Sequence, residues 1–273
     1  MIKPIIGALL LSICSLQVLA QQPLQKPVKK WKFSKKPVWS DEFNQNGKPD
    51  PAKWSYQTGG NGWGNNELQY YTEGDNVHIE DGKLVITARK EAKGSNQYTS
   101  TRLVSKNKGD FLYGRIEVKA KIPKGVGSWP AIWMMPTSST YGGWPASGEI
   151  DIMEHVGYDQ DMIHQSVHTK AFNHVIKTQK TAFKLYPGVS EQFFVYRIDW
   201  TPETITGYVN NDQLFQFAND GKGFESWPFD KPFYLLLNIA VGGNWGAVKG
   251  VDDSIFPLKM EVDYVRVYQL LEK

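Results

Sequence analysis

The segment Gly148-Glu149-Ile150-Asp151-Ile152-Met153-Glu154 concentrates three carboxyls in six residues. In a β-strand successive side chains alternate faces, so Glu149 and Asp151 share one face while Ile150 and Ile152 turn to the other. Strict alternation would then expose Met153 and bury Glu154 unpaired, at a cost of several kcal/mol or of its charge. One extra residue, a β-bulge at Ile152–Met153, returns Glu154 to the face of its neighbours, and bulges often re-aim side chains beside active sites. Three carboxyls on one face repel one another, which raises at least one pKa and supplies a general acid near neutral pH. Positions two apart on one strand face are spaced roughly 6–7 Å, close to the roughly 5–5.5 Å of a retaining glycosidase pair. A solvated acidic strand or a calcium site is the bland alternative, and nearby Trp133, Trp144 and His168 weigh against it.

The elements that must carry these residues read as strands. Gly114 to Ile122 alternates Ile116, Val118, Ala120 and Ile122 with Arg115, Glu117, Lys119 and Lys121, a half-buried strand. Similar runs recur at 83–87, 131–135, 149–154, 162–168, 193–200, 204–209, 233–241 and 260–268, punctuated by turns such as Asp81-Gly82 and Asn219-Asp220-Gly221. No long amphipathic helix, dinucleotide glycine pattern or internal repeat interrupts them. The expected fold is all-β, a sandwich or jelly roll of two packed antiparallel sheets in one domain over 38–270.

The 273 residues carry a net charge of +3, too small to argue for nucleic acid, and 13 Phe, 13 Tyr and 10 Trp suggest flat apolar surfaces suited to sugars. Residues 1–20 read as a signal peptide ending at Ala20, so the protein is expected to be secreted or periplasmic, with no membrane span. The single cysteine, Cys14, falls inside that segment, and lipid anchoring there is the competing reading. Residues 21–37, with six Lys and three Pro, read as a solvated linker in which Trp31 and Phe33 could pair as an edge strand.

Around these residues the chain resembles glycoside hydrolase family 16, and within it the laminarinase branch of endo-1,3-β-glucanases. The resemblance runs from Val38-Trp-Ser-Asp-Glu-Phe43 to Val262-Asp-Tyr-Val-Arg-Val-Tyr268. Its motifs are Gly59-Gly-Asn-Gly-Trp-Gly-Asn-Asn-Glu-Leu-Gln-Tyr-Tyr-Thr72, Trp129-Pro-Ala-Ile-Trp-Met-Met-Pro136, the carboxylate strand, Val167-His-Thr169 and Gly242-Gly-Asn-Trp-Gly246. It implies a β-jelly roll with a concave glucan cleft, Glu149 as nucleophile, Glu154 as acid/base, and Asp151 holding and tuning both. No catalytic cofactor is implied. A structural calcium ion away from the cleft is implied at Glu42, Asp263 and the Gly82 carbonyl. The loop Gly246-Ala-Val-Lys-Gly-Val251 and Lys177 depart from the family pattern, and both could reshape the cleft rim.

Candidate substrate contacts follow. Indoles offer a flat face to a sugar ring: Trp133 is expected on the cleft floor, Trp144 and Trp245 in glycine-rich loops beside it, and Trp129 is balanced between cleft and core. His168 is expected to bond substrate or a carboxylate. His164 shares its strand face, but four residues of strand span roughly 13 Å, too far for one zinc ion, and His164, His155, His78 and His174 read as structural or exposed. Asn65 and Asn244 can donate and accept to neutral hydroxyls, although turn chemistry explains them as well. Arg115 faces outward and matches the family's Tyr-Gly-Arg, and a solvated face explains it equally. The expected activity is endo-acting, retaining hydrolysis of 1,3-β-glucan by a monomer. Mixed-linkage glucan, agar-type galactan and a non-catalytic carbohydrate-binding jelly roll are the alternatives.

Overall fold

The computed structural model describes residues 30–272; the expected signal peptide, Cys14 and most of the linker lie outside them. Short apolar-polar alternation, as in Gly114–Lys121 where every second residue is buried, can bury only one face of a strand and so demands a second layer. Two eight-stranded sheets supply it. The carboxylate-bearing sheet runs in the order Lys180–Leu185, Met162–His168, Glu149–Glu154, Ser128–Pro136, Phe233–Val241, Arg102–Val104, Ser55–Tyr56, with Asp110–Phe111 also paired to Phe233–Val241. The outer sheet runs Asp212–Ala218, Thr204–Val209, Phe194–Trp200, Gly114–Lys121, Leu258–Tyr268, Lys83–Ala88, Val77–Glu80, with Trp39–Asp41 also on Leu258–Tyr268.

All pairings inside these sheets are antiparallel. A small parallel pair, Gln69–Tyr71 with Tyr98–Ser100, stands beside them. Among the described residues only the turn Gly243–Gly246 is α-helical, and none forms a helix long and apolar enough to cross a membrane.

The core lies between the sheets. Ile132, Met134, Ile150, Ile152, Met153, Leu235, Leu237 and Ile239 meet Ile116, Val118, Ala120, Val262 and Val265, each large side chain worth about 1.5–3 kcal/mol of burial. Phe233–Val241 is buried along its whole length, one face in the core and the other under neighbouring side chains of the cleft floor. Its open face joins a smaller cluster of Val104, Tyr234 and Leu236 under Trp133 and Met135. That open face is the floor on which the carboxyls stand.

The end of the expected linker is ordered structure. Trp31–Phe33 pairs antiparallel with Leu270–Glu272, fastened by Ser34 Oγ and Gln269 and by the Trp31 indole donating to Glu203 at 2.6 Å. Trp31 and Phe33 thus form the edge strand that the sequence allowed inside the linker.

Candidate active site

The carboxylate strand carries the expected bulge. Asp151 stands opposite Ser166 and Glu154 opposite His164, three residues against two. On the other flank Asp151 meets Trp133 and Met153 meets Ile132, again with one residue extra. Ile150, Ile152 and Met153 all enter the core. Glu149, Asp151 and Glu154 therefore share the open face. Gly148 lets the strand begin there: at φ +90° its missing Cβ would sit 2.9 Å from both Phe229 and Pro228, a conformation and a gap that favour glycine.

Each carboxyl has its own partner. The Trp144 indole donates to Glu149 Oε2 at 2.8 Å, and the Trp129 indole donates to Glu154 Oε1 at 3.1 Å. His168 Nε2 lies 3.4 Å from Asp151 Oδ2 and 3.9 Å from Glu149 Oε1. Burial and mutual repulsion dominate the electrostatics. Burial, then the Asp151 charge, pushes Glu149 up to about 8; burial pushes Asp151 up to about 7, against a hydrogen bond with Glu149. Glu154 is raised well above the usual carboxylate range by burial and by both neighbouring carboxyls, with His168 and the Trp129 N–H pulling the other way. The cluster holds protons at neutral pH, the condition for a general acid. Glu149, Asp151 and His168 are also the one group of three acidic, histidine or cysteine side chains, among the described residues, close enough to share an ion.

The floor beside the carboxyls is built from neighbouring strands. Ala131, Asn238 and Arg102 extend the row of Glu154. Trp133 donates to Asn238 Oδ1 at 2.7 Å, and Asn238 donates to Tyr71 at 3.1 Å. Tyr71 and Gln69 both donate to the buried Glu67, whose carboxyl is raised by burial. The Arg102 guanidinium lies between the rings of Trp63 and Trp133, 4.7 and 4.6 Å from their centroids. Asn238 is the one polar residue in Phe233–Val241, a signal in the sequence that went unused; Arg102, in a three-residue strand among Ser and Thr, offered none.

Trp133 occupies the floor as expected, and Trp144 is 39% exposed beside His168 and His174. Trp245 sits at the Glu154 end, edge-on to Trp129 at 5.5 Å and to His164 at 4.9 Å. Trp129 is resolved in favour of the cleft. Asn65 and Asn244 fasten the two loops to each other: Asn244 N–H donates to the Asn65 carbonyl at 2.7 Å, and Asn66 donates to Asn244 Oδ1 at 2.8 Å. His155 is fully buried, its pKa lowered to about 4 by burial, and is structural as expected. His164, expected to be structural or exposed, lies in the cleft opposite Glu154.

Arg115 is a correction. It belongs to the outer sheet, where it makes a bidentate pair with Asp199 at 2.7 and 2.8 Å and lies over Phe33. Parity made it outward-facing, but a sandwich has two outward faces, and this is the one away from the carboxyls. The expected calcium ligands do lie along one edge of Leu258–Tyr268, since Leu84 stands opposite Val262 and Asp41 opposite Val265. Their side chains as they stand do not fit an ion, because Glu42 is bidentate to Arg266 and Asp263 pairs with Lys119 at 2.7 Å.

The model of the glycosyl hydrolases family 16 matches residues 64–266. A beta-glucanase of Rhodothermus marinus is 50% identical over 244 residues, 86% of this chain and 85% of that protein. The X-ray structure of the laminarinase from Rhodothermus marinus superposes with a TM-score of 0.86 at 48% identity, covering 90% of this chain and all of that one. A non-specific endo-β-1,3(4)-glucanase structure superposes with a TM-score of 0.82 at 48% identity, covering 91% and 94%.

Proposed function

The chain belongs to glycosyl hydrolase family 16, and from that premise and the cleft we propose that it is an endo-acting glucanase cleaving internal 1,3-β-glucosidic bonds of laminarin-type glucan. The observation that carries this reading is the convergence, through one bulge, of three carboxyls on an open jelly-roll face, each with a ring N–H or imidazole beside it. A lectin of the same fold has no need for that arrangement.

The finer mechanism is double displacement. Glu149 attacks the anomeric carbon while Glu154 gives its proton to the departing oxygen; water, losing a proton to Glu154, then releases the sugar from Glu149. Asp151, between them, exchanges a hydrogen bond with Glu149 and repels charge on Glu154, so ionisation of one group favours the proton on the other. Indoles, Asn238 and Tyr71 line the floor around one sandwiched arginine, Arg102, which suits uncharged hydroxyls better than a densely sulfated galactan.

Reducing-end release from laminarin, lichenan and agarose, side by side, tests the substrate. Turnover of laminarin is expected first, and agarose turnover without laminarin turnover would overturn the reading. Proton NMR should show the β-anomer formed first; an initial α-anomer would contradict double displacement. We further take the protein as a monomer exported by its first 20 residues, to be checked by gel filtration and by the N-terminus of the exported form. Calcium at Glu42, Gly82 and Asp263 would have to displace Arg266 and Lys119 from the two carboxylates; a rise in Tm with calcium but not magnesium would show that it does, and no rise retires the site.

A further inference from the structure

Glu149 stands directly opposite His168 on the neighbouring strand, and Asp151, two residues on, stands opposite Ser166. The three side chains therefore leave one face of the sheet as a directly opposed pair and its diagonal neighbour. His168 Nε2 lies 3.4 Å from Asp151 Oδ2 and 3.9 Å from Glu149 Oε1, and one ligand atom from each residue falls within 4.8 Å of the other two. Ligands held about 2.0–2.2 Å from a tetrahedral zinc ion stand roughly 3.3–3.6 Å from one another. A slight inward turn of the Glu149 carboxylate brings the triangle to the size that one such ion spans.

One corner of the triangle lacks a partner. The Asp151 side chain is 3% exposed, and its Oδ2, facing His168, is buried without a hydrogen bond. A buried carboxylate oxygen with no donor is costly, and a proton or a metal cation satisfies it. The Trp144 N–H occupies Glu149 Oε2, and Oε1 is the oxygen that faces His168.

The donor set selects the ion. An imidazole beside two carboxylates suits zinc and neighbouring transition metals, whereas calcium and magnesium favour a shell of oxygens. The rings of Trp144 and His174 cover His168 at 6.0 and 5.3 Å between centroids. Glu149 is the most exposed of the three, so the fourth ligand position opens to the cleft and to water. His168 Nδ1 has no hydrogen-bond partner among the described residues. Outer partners of that kind are worth about 10–100-fold in metal affinity, so an ion here exchanges rather than staying as a permanent part of the fold.

We infer that Glu149, Asp151 and His168 form a reversible inhibitory site for a divalent transition-metal ion of the zinc class. The ion takes the place of the proton that the cluster otherwise shares. It ties Glu149 to Asp151 and His168, so the carboxylate cannot add to an anomeric carbon while the ion is bound. The inhibition rests on the glucanase reading; the binding does not.

Zinc chloride titrated calorimetrically into the untagged protein should reveal one saturable site for which neither calcium nor magnesium competes. Cobalt(II) should fill the same site as a coloured surrogate, giving the intense visible bands of a four-coordinate ion, and zinc should bleach them. His168→Phe and Glu149→Gln should each weaken zinc binding at least about tenfold. The second variant is nearly isosteric with the parent, so it answers the question even where the first fails to fold. Laminarin turnover by the parent should fall along the calorimetric binding curve and return when EDTA removes the zinc. No binding overturns the site, and so does binding undiminished in the variants, which would place the ion elsewhere, as at the His78–Glu80 pair. Binding that leaves turnover intact overturns the inhibition. A parent inactive on every glucan before zinc is added would sink the glucanase reading and leave the binding result standing.

Discussion

The Trp129 indole is the only neutral hydrogen-bond donor that the described residues offer to Glu154, and it stabilises that carboxyl's charged form. Trp129→Phe keeps most of the ring and removes the N–H, so the Glu154 pKa should rise further. The alkaline limb of the kcat/KM profile, where the acid loses its proton, should therefore move to higher pH. An unmoved limb, measured across that range, would detach Trp129 from the acid. Glu149 carries the opposite lesson for stability. Its pKa, raised to about 8 from an ordinary 4.5, means that the folded state binds more protons than the unfolded one between those values, and stability falls as pH rises through that window. Glu149→Gln should abolish activity yet raise Tm at pH 8 by roughly 2–4 °C, an effect on the order of 1 kcal/mol, and change it less at pH 4.5, where Glu149 is protonated in the folded state and half protonated in the unfolded one. Equal shifts at the two pH values would locate the gain elsewhere than the charge. The carboxyls were legible from the sequence because three of them fall within six residues, and the tryptophans because they stand in the motifs around that strand. The Arg102 sandwich was not, because nothing local says which two indoles a lone arginine will meet.

At the level of elements, the bulge was legible because the alternative, a buried Glu154 beside an exposed Met153, is costly. Short apolar runs bounded by turn residues announced the strands, and Glu149–Glu154, Met162–His168, Thr204–Val209 and Phe233–Val241 fall where the pattern places them. Lys180–Leu185 did not, since nearly all of it is exposed and an edge strand facing a cleft has no core to reveal its parity. Arg115 shows the converse limit: parity separates inside from outside but not one outer face from the other. The loop Gly242–Gly246 closes the cleft end through one glycine. At φ +75° a Cβ on Gly243 would sit 2.9 Å from the Asn65 carbonyl and 3.4 Å from the Trp129 ring. Gly243→Ala should therefore cost about 1–3 kcal/mol of local strain, loosen the Asn65–Asn244 clasp, and raise KM for long glucan more than it lowers kcat. Unchanged KM together with unchanged Tm would show that the loop accommodates the methyl group.

At the scale of the whole molecule, the two sheets divide labour. The inner one lends its open face to the cleft, while the outer one spends its surface on ion pairs such as Arg115–Asp199 and Arg266–Glu42. Stability rests on packing between them, and charged groups concentrated at the cleft work against it. The ribbon of Trp31–Phe33 with Leu270–Glu272 adds a topological consequence. Residues 30 and 272 emerge side by side, beside Arg115 of the outer sheet, so the covalent order of the strands is separable from their spatial order. A few-residue bridge across that ribbon would make the described chain a closed circle. Reopened in the exposed turn Asn219–Gly223, the circle should fold to the same sandwich with its cleft intact, since domains whose ends lie close together and whose cut falls in an exposed turn tolerate circular permutation. A permutant that folds, by circular dichroism and Tm, yet cleaves no glucan would mean that the outer sheet's connectivity reaches the cleft after all.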